Sequence, residues 1–435
     1  MAGGRRRLAY DERMIPPRLL AIIGSGETAP TMTSVHAELF ERAGAAGERA
    51  VMLDTPFGFQ ENADDVAARS VAYFRDSVGH RVEVASFRDA QTATPLEYEQ
   101  MCAQLAQAGW VFAGPGSPTY AIRQWSTTRV PELLSDKLAG GGVVVFASAA
   151  AVGLGEVALP VYEIYKVGQA PEWIGGLDLM RHAGLRAAVI PHYNNAEGGT
   201  HDTRFCYMGE RRLRVLEATL PDGCSILGVD EHTACIIDVE VGSLSVRGRG
   251  RVTWRRDGTE THWHARDVVS LQEMTSAERS APGGVAGVAP ALTPPDVDRE
   301  GANPFMEEVG SQRDAAVAAL AARDPDGVAA AILAMETALH EWSRDTLQSD
   351  DPDRAREALR ELVVRLAELA RGGAVDPRKR VAPFVDAMLG LRDRARADGR
   401  FGDADALRDA LVATGVAVHD SPQGSTWELG SAPPG

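Results

Sequence analysis

Residues 141–155 read GGVVVFASAAAVGLG. Val143 to Ala147 run apolar without the alternation of a half-solvated strand, as a strand covered on both faces should. Ser148 to Ala151, all small, follow at once. A buried strand running into a tight turn and then a helix is expected here. Extended to Pro160, the apolar stretch has the length of a membrane span, but glycines and Glu156 interrupt it, so no span is expected.

Outward from this stretch, residues 19–23, 50–53, 81–86, 110–113 and 187–190 are further candidate strands, most of them apolar throughout. Amphipathic segments at 34–42, 62–78 and 95–108 separate several of them. Strand, helix, strand in this order predicts an α/β fold with a doubly wound, mostly parallel sheet. Beyond Cys235 the texture alternates instead, at 244–246, 251–254 and 261–263, with Arg256-Asp257-Gly258 as a hairpin turn. An antiparallel addition should close this first domain, residues 18–270. Residues 271–304 are rich in Pro, Gly, Ala and Ser and read as a flexible linker. From 305 to 435, Ala, Leu, Arg and Glu recur at helical spacing, predicting an all-α bundle.

Composition narrows the function. The 435 residues carry 45 Lys+Arg against 61 Asp+Glu, a net charge of −16. Such a balance argues against a general nucleic-acid binder, which needs clustered cations against phosphates, but leaves room for a local basic patch. The four cysteines, Cys102, Cys206, Cys224 and Cys235, form no CxxC pair, which speaks against a structural zinc site. Their sparsity fits a reducing compartment. The basic start, Met1 to Arg7, lacks an apolar segment after it, so no secretory leader is expected. A cytoplasmic chain with no membrane association follows. No GxxxxGK[ST] occurs, which disfavours a P-loop ATPase. His262 and His264 share one strand face, where a solvent-facing pair is a better reading than a metal site. No metal and no cofactor are expected.

Ser148 is the first candidate for chemistry. A serine on a strand-to-helix turn stands above the sheet, and the helix start offers backbone N–H groups such as that of Ala149 to an oxyanion. Gly114-Pro115-Gly116-Ser117, after the strand at 110–113, can bring a second donor at Gly116. Gly24-Ser25-Gly26-Glu27 follows the first strand, yet lacks the third glycine of a dinucleotide loop. His192, in Ile190-Pro191-His192-Tyr193, is the candidate general base, with His201 as competitor. Glu163 and Glu231 are both available to orient the imidazole.

In this order the glycine loop, Phe146-Ala147-Ser148-Ala149-Ala150, Glu163, Pro191-His192 and Gly228-Val229-Asp230-Glu231-His232-Thr233-Ala234 resemble the peptidase S51 family. That family includes dipeptidase E and cyanophycinase and has the class I glutamine amidotransferase-like fold. The resemblance covers roughly residues 18–270. It implies a serine hydrolase acting on peptides or isopeptides next to aspartyl groups, with Ser148, His192 and Glu163 as its triad. It also implies that Arg204, Arg211 and Arg212 hold a substrate carboxylate. Phe146 and Ala150 stand where the family's elbow has glycines, and either would narrow the oxyanion pocket. A degenerate, non-hydrolytic binding protein is the alternative.

The tail carries a second resemblance. Ala404 to Leu411, then Gly415-Val416-Ala417-Val418-His419-Asp420-Ser421-Pro422-Gln423-Gly424-Ser425-Thr426-Trp427, is similar to the C-terminus of cysteinyl-tRNA synthetases. This implies a tRNA contact by residues 305–435. The sequence holds no HIGH-like motif, no KMSKS-like motif and no cysteine-rich zinc set, so a working synthetase is not expected. The expected partners are a peptide or small acidic substrate and tRNA, with room left for a homodimer.

Overall fold

The computed structural model describes residues 16–197, 201–276, 303–343, 351–372, 377–421 and 424–429. They divide into two compact units, one ending at Asn303 and one starting at Pro304, with the segment beginning at His340 counted in the first.

The first unit is built on β1 (Arg18–Ile23), β2 (Ala50–Leu53), β3 (Val82–Ala85), β4 (Trp110–Ala113) and β5 (Gly142–Ala147). Two two-residue strands, β6 (Val157–Ala158) and β7 (Ile174–Gly175), pair with each other. Then come β8 (Ala187–Ile190), β9 (Ser225–Val229), β10 (Thr233–Asp238), β11 (Ser243–Gly248), β12 (Arg251–Arg256), β13 (Thr259–His264) and β14 (Val268–Ser270).

The large sheet has eight strands in the order β14-β11-β10-β1-β5-β4-β2-β3. The five from β1 to β3 are parallel, and β10, β11 and β14 extend them antiparallel. The fold is thus α/β with a parallel-rich sheet. The expected single sheet needs one correction, because Ala187–Ile190 does not join it. β8 pairs parallel with β9 in a second sheet, ordered β13-β12-β9-β8. A short apolar strand carries no mark of which neighbour it will pair with.

Alternation along β1 and β5 sends side chains into two separate cores. Leu20, Ile22, Val144 and Phe146 enter one core, whereas Leu19, Ala21, Ile23, Val143 and Val145 enter the other. Each fully buried aliphatic or aromatic side chain of this kind contributes about 1.5–3 kcal/mol. The first core also receives Leu227 and Val229 of β9, so the second sheet packs against the first through it. Asp257 and Gly258, both with positive φ (50° and 75°), make the two-residue turn between β12 and β13.

The sequence-based linker begins too early. Leu271–Ser276 is a helix, with Leu271 and Met274 buried in the first core. Residues 277–302 of that linker lie outside the described residues.

The second unit contains helices Pro304–Ala321, Pro325–Trp342 as far as Leu339, Asp351–Gly372, Pro377–Ala397 and Phe401–Ala413. It is not all-α. A hairpin of β15 (Val416–Ser421) and β16 (Gly424–Leu429) follows the last helix. Trp427 explains the hairpin. Its ring is buried with Val385, Leu389, Leu411 and Val416, and its indole N–H donates to Asp386 Oδ1 at 2.9 Å. Arg392, 1% exposed, holds Asp420 of β15 through two contacts of 2.6 and 2.7 Å.

Among the described residues, no helix is long and apolar enough to cross a membrane.

Candidate active site

Three adjacent strands, β1, β5 and β4, deliver their C-terminal loops to one edge of the large sheet. In parallel α/β sheets this edge is where ligands bind. Ser148 follows β5 directly and opens the helix Ser148–Val152. Its φ is 47°, a left-handed backbone that a residue with a Cβ adopts at a cost. Ala147, Ala149 and Ala150 are buried around this bend, where larger side chains would collide. The Ala150 N–H donates to the Gly114 carbonyl at 3.2 Å and ties the bend to the loop after β4.

Phe146 does not obstruct the serine. Being two residues before Ser148 on β5, it points into the first core, where its ring lies 5.7 Å from that of Trp125. Ser148 lines a cavity of about 390 Å³. The expectation that Phe146 narrows the pocket is therefore corrected by the pleat of the strand.

β8 and β9 run parallel with Ile190 opposite Gly228. The residues just past their ends, His192 and Glu231, are therefore neighbours. His192 Nδ1 lies 2.8 Å from Glu231 Oε1, and His192 Nε2 lies 3.0 Å from Ser148 Oγ. A carboxylate at Nδ1 fixes the proton of the neutral ring there, leaving Nε2 to accept from the serine hydroxyl. Glu231 is held in turn. Its N–H donates to Asn194 Oδ1 at 2.8 Å, and Asn195 Nδ2 donates to its Oε1 at 3.1 Å.

The imidazole partner is therefore Glu231 and not Glu163. Glu163 sits on the helix Val161–Tyr165 and accepts from Thr119 Oγ1 at 3.0 Å. Its spacing after Ser148 is right for the resemblance, but that helix carries its carboxylate to Thr119 instead. His201 stacks near Tyr165, 6.4 Å between ring centroids, and gives way to His192 at the serine.

Charge around the imidazole is lopsided. Burial alone would push the His192 pKa down, yet the Glu231 hydrogen bond, with the charges of Glu231, Glu27 and Glu197, raises it above the usual histidine value. Burial would raise the Glu231 carboxyl, but the His192 contact, with help from Asn195, holds it below the ordinary range. Each partner thus stabilises the charged form of the other. His232 next door behaves oppositely, since burial drives it down to about 4.

Gly116 and Ala149 both line the cavity. Gly116 has φ 135°, and a Cβ there would run into the Pro56 carbonyl, so only glycine fits. Ala149 lies in the first helical turn, where a backbone N–H has no carbonyl partner within the helix. Gly24 faces a similar restriction, because a Cβ would strike the Asp230 carbonyl. That close approach lets the loop after β1 accept from the His192 N–H at 3.3 Å.

Arg204 is not at the cavity. Its guanidinium grips Asp202 with two contacts of 2.9 Å and lies over the Phe205 ring. Arg211 and Arg212, on the helix Gly209–Glu217, do not line it either. A near-neighbour carboxylate two residues before Arg204 captured the cation that the resemblance assigns to substrate.

Sequence reasoning passed over Asn194, Asn195, Lys166 and Tyr207. The run His192-Tyr193-Asn194-Asn195 just past a strand end was the available signal for the asparagines. Tyr207 belongs to three successive left-handed residues, Phe205, Cys206 and Tyr207, with φ of 61°, 54° and 67°. This turn forms a cavity wall, its Cys206 N–H donating to the His192 carbonyl at 3.1 Å. Burial pushes the Cys206 thiol up to about 12, which keeps it protonated at neutral pH.

Comparison with known proteins finds two kinds of likeness. A family model described as the cysteinyl-tRNA ligase anticodon binding domain matches residues 379–427, within the second unit. Cysteine–tRNA ligase of Bifidobacterium longum is 32% identical over 289 residues, which is 59% of this chain and 47% of the ligase. The Arthrobacter sp. ligase is 32% identical over 169 residues, covering 37% of this chain and 33% of the ligase. The chain thus spans less than half the length of these curated relatives. A peptidase from an acI-B1 Actinobacterium is similar in structure, with a TM-score of 0.48 and 18% identity, covering 59% of this chain and 98% of that one. A putative peptidase E protein from Listeria monocytogenes EGD-e gives 0.34 and 13%, covering 57% and 98%.

Proposed function

We propose that the first unit is a serine hydrolase that cleaves amide bonds, and that the second unit contacts tRNA. The single observation that carries the hydrolase is the unbroken row Ser148 Oγ, His192, Glu231, at 3.0 and 2.8 Å. Such a row activates a hydroxyl that is otherwise a poor nucleophile.

Ser148 Oγ attacks the substrate carbonyl carbon while its proton passes to His192 Nε2. Glu231 keeps the other ring proton on Nδ1 and stabilises the imidazolium. The oxygen of the tetrahedral intermediate takes hydrogen bonds from the N–H groups of Ala149 and Gly116. His192 then gives its proton to the leaving amine, and the carbon–nitrogen bond breaks. Water, deprotonated by His192, hydrolyses the resulting ester and restores Ser148. Loss of oxyanion donors in such enzymes costs about 10²–10³ in kcat.

The test is hydrolysis of a panel of amino-acid p-nitroanilides by the full chain. Turnover that disappears in Ser148→Ala and His192→Ala supports the proposal. Turnover that survives both substitutions sinks it.

The tRNA contact is supported by the family model at residues 379–427. Filter retention of cysteine tRNA should weaken steeply with salt, because phosphate contacts release counterions. Retention that does not respond to salt, or no retention, refutes it. A cytoplasmic location is compatible with both proposed activities, and the four cysteines, free and buried, fit a reducing compartment.

A further inference from the structure

We infer that Tyr193 is a positioning residue, holding the His192 imidazole at Ser148 through the bond of its hydroxyl to Glu260; this rests on the serine-hydrolase proposal. His192 keeps a left-handed backbone, φ 48°, which a residue with a Cβ leaves unless its surroundings forbid it. Gly24 and Cys206 hold its own N–H and carbonyl. The direction in which the chain leaves His192 is set by the residue that follows.

Tyr193 does not line the cavity. It is buried in a separate core with Ile190, Phe205, Leu213, Leu216 and Ile226. Its N–H donates to the Val229 carbonyl at 3.2 Å, and its carbonyl accepts from the Phe205 N–H at 2.9 Å. Its ring covers Gly228, where a Cβ would run into it, and meets the Phe205 ring edge-on with centroids 4.6 Å apart. Its hydroxyl donates to Glu260 Oε1 at 2.8 Å.

Glu260 is itself fixed. The same oxygen accepts from Arg255 Nη1 at 3.0 Å, and Glu210 and Glu217 each hold Arg255 at 3.0 Å. The Arg255 guanidinium also lies 5.7 Å from the centroid of the Phe205 ring. Phe205 opens the left-handed run whose Cys206 N–H holds the His192 carbonyl. One buried cluster thus grips the chain on both sides of the imidazole. Packing alone lets a flat ring slide in its plane, whereas a directional bond at its tip stops that slide. Any slide passes through one peptide unit to His192, and a misplacement of about 1 Å costs about 100-fold in rate.

The experiment compares the full chain with its Tyr193→Phe, Glu260→Ala and Glu260→Gln variants. It reads kcat and KM on a p-nitroanilide that wild type turns over, the rate of fluorophosphonate labelling, and the downfield proton signal of His192 Nδ1, identified by its loss in His192→Ala. Tyr193→Phe keeps the ring and removes the donor. It should lower kcat and the labelling rate by about 10–100-fold with KM unchanged, and shift or broaden the proton signal, in a chain that stays folded. Glu260→Ala should do the same, whereas Glu260→Gln, whose amide oxygen still accepts, should stay near wild type. A merely structural bond would lower the urea midpoint and leave the kcat of the folded chain alone. Wild-type kcat, labelling and proton signal in folded Tyr193→Phe overturn the role of Tyr193 and leave the hydrolase standing. Should Tyr193→Phe fail to fold, equal kcat in Glu260→Ala and Glu260→Gln overturns it. Absence of both turnover and labelling in folded wild type overturns the two proposals together.

Discussion

Ser148 and His192 each hold a left-handed backbone, with φ of 47° and 48°, and their side chains meet at 3.0 Å. Neither residue is a glycine, so the bend that aims each side chain opposes folding by about 1–2 kcal/mol. The surrounding loops hold the strain in place. His192 is pinned by Gly24 on one side and by the Cys206 N–H on the other.

That strain is measurable with two substitutions that both delete the hydroxyl. Ser148→Gly should be more stable than Ser148→Ala by about 1 kcal/mol, since only glycine adopts this φ freely. Urea denaturation of the two variants checks it, and equal midpoints would remove the strain from the account.

The two glutamates are separable by kinetics. Glu231→Gln should reduce kcat by about 10³–10⁴, as loss of the imidazole's carboxylate does in serine hydrolases. Glu163→Gln, whose carboxylate accepts from Thr119 Oγ1 and not from the imidazole, should stay within about tenfold of wild type. The reverse ranking would restore Glu163 as the orienting acid.

The pH profile follows from the direction of the His192 shift. The imidazole must be neutral to accept the serine proton, so kcat/KM should rise with pH as His192 deprotonates. Burial lowers its pKa, but Glu231, Glu27 and Glu197 outweigh that and raise it, so the midpoint should lie above 6.5. In Glu231→Gln the residual activity should show a midpoint moved to lower pH. A midpoint below 6.5 in wild type would contradict the charge arrangement.

Stability should depend strongly on Arg255, which is 4% exposed and meets Glu210, Glu217 and Glu260 at 3.0 Å each. Glu260 also accepts from the Tyr193 hydroxyl at 2.8 Å, next to His192. Arg255→Met leaves three carboxylates without their common cation and should cost about 3–5 kcal/mol. Thermal or urea unfolding measures it, and a loss under about 1 kcal/mol would show that the carboxylates find other partners.

Much of the fold was legible because its parallel strands are buried on both faces. Residues 50–53, 110–113 and 187–190 read directly as uninterrupted apolar runs, and so did the strand that ends at Ala147, just before Ser148. Pairing was not legible: nothing in Ala187–Ile190 marks it for β9 rather than β1. The hairpin at Val416–Leu429 was read only as a tail motif, since its two short strands are specified by Trp427 burying itself against distant helices. At the site, Ser148 and His192 stood out because each follows a buried strand immediately. The choice between Glu163 and Glu231 depends on β8 lying beside β9, a long-range contact that local spacing does not encode. Arg204 was misplaced because sequence shows the cation but not that Asp202 already holds it.

The central claim is that Ser148 Oγ is a nucleophile made reactive by His192 and Glu231. Labelling the folded full chain with a fluorophosphonate, followed by mass-spectrometric mapping, tests it most directly. The adduct should fall on Ser148, vanish in Ser148→Ala and form far more slowly in His192→Ala. No adduct on folded wild type, or one that persists in Ser148→Ala, would contradict the account.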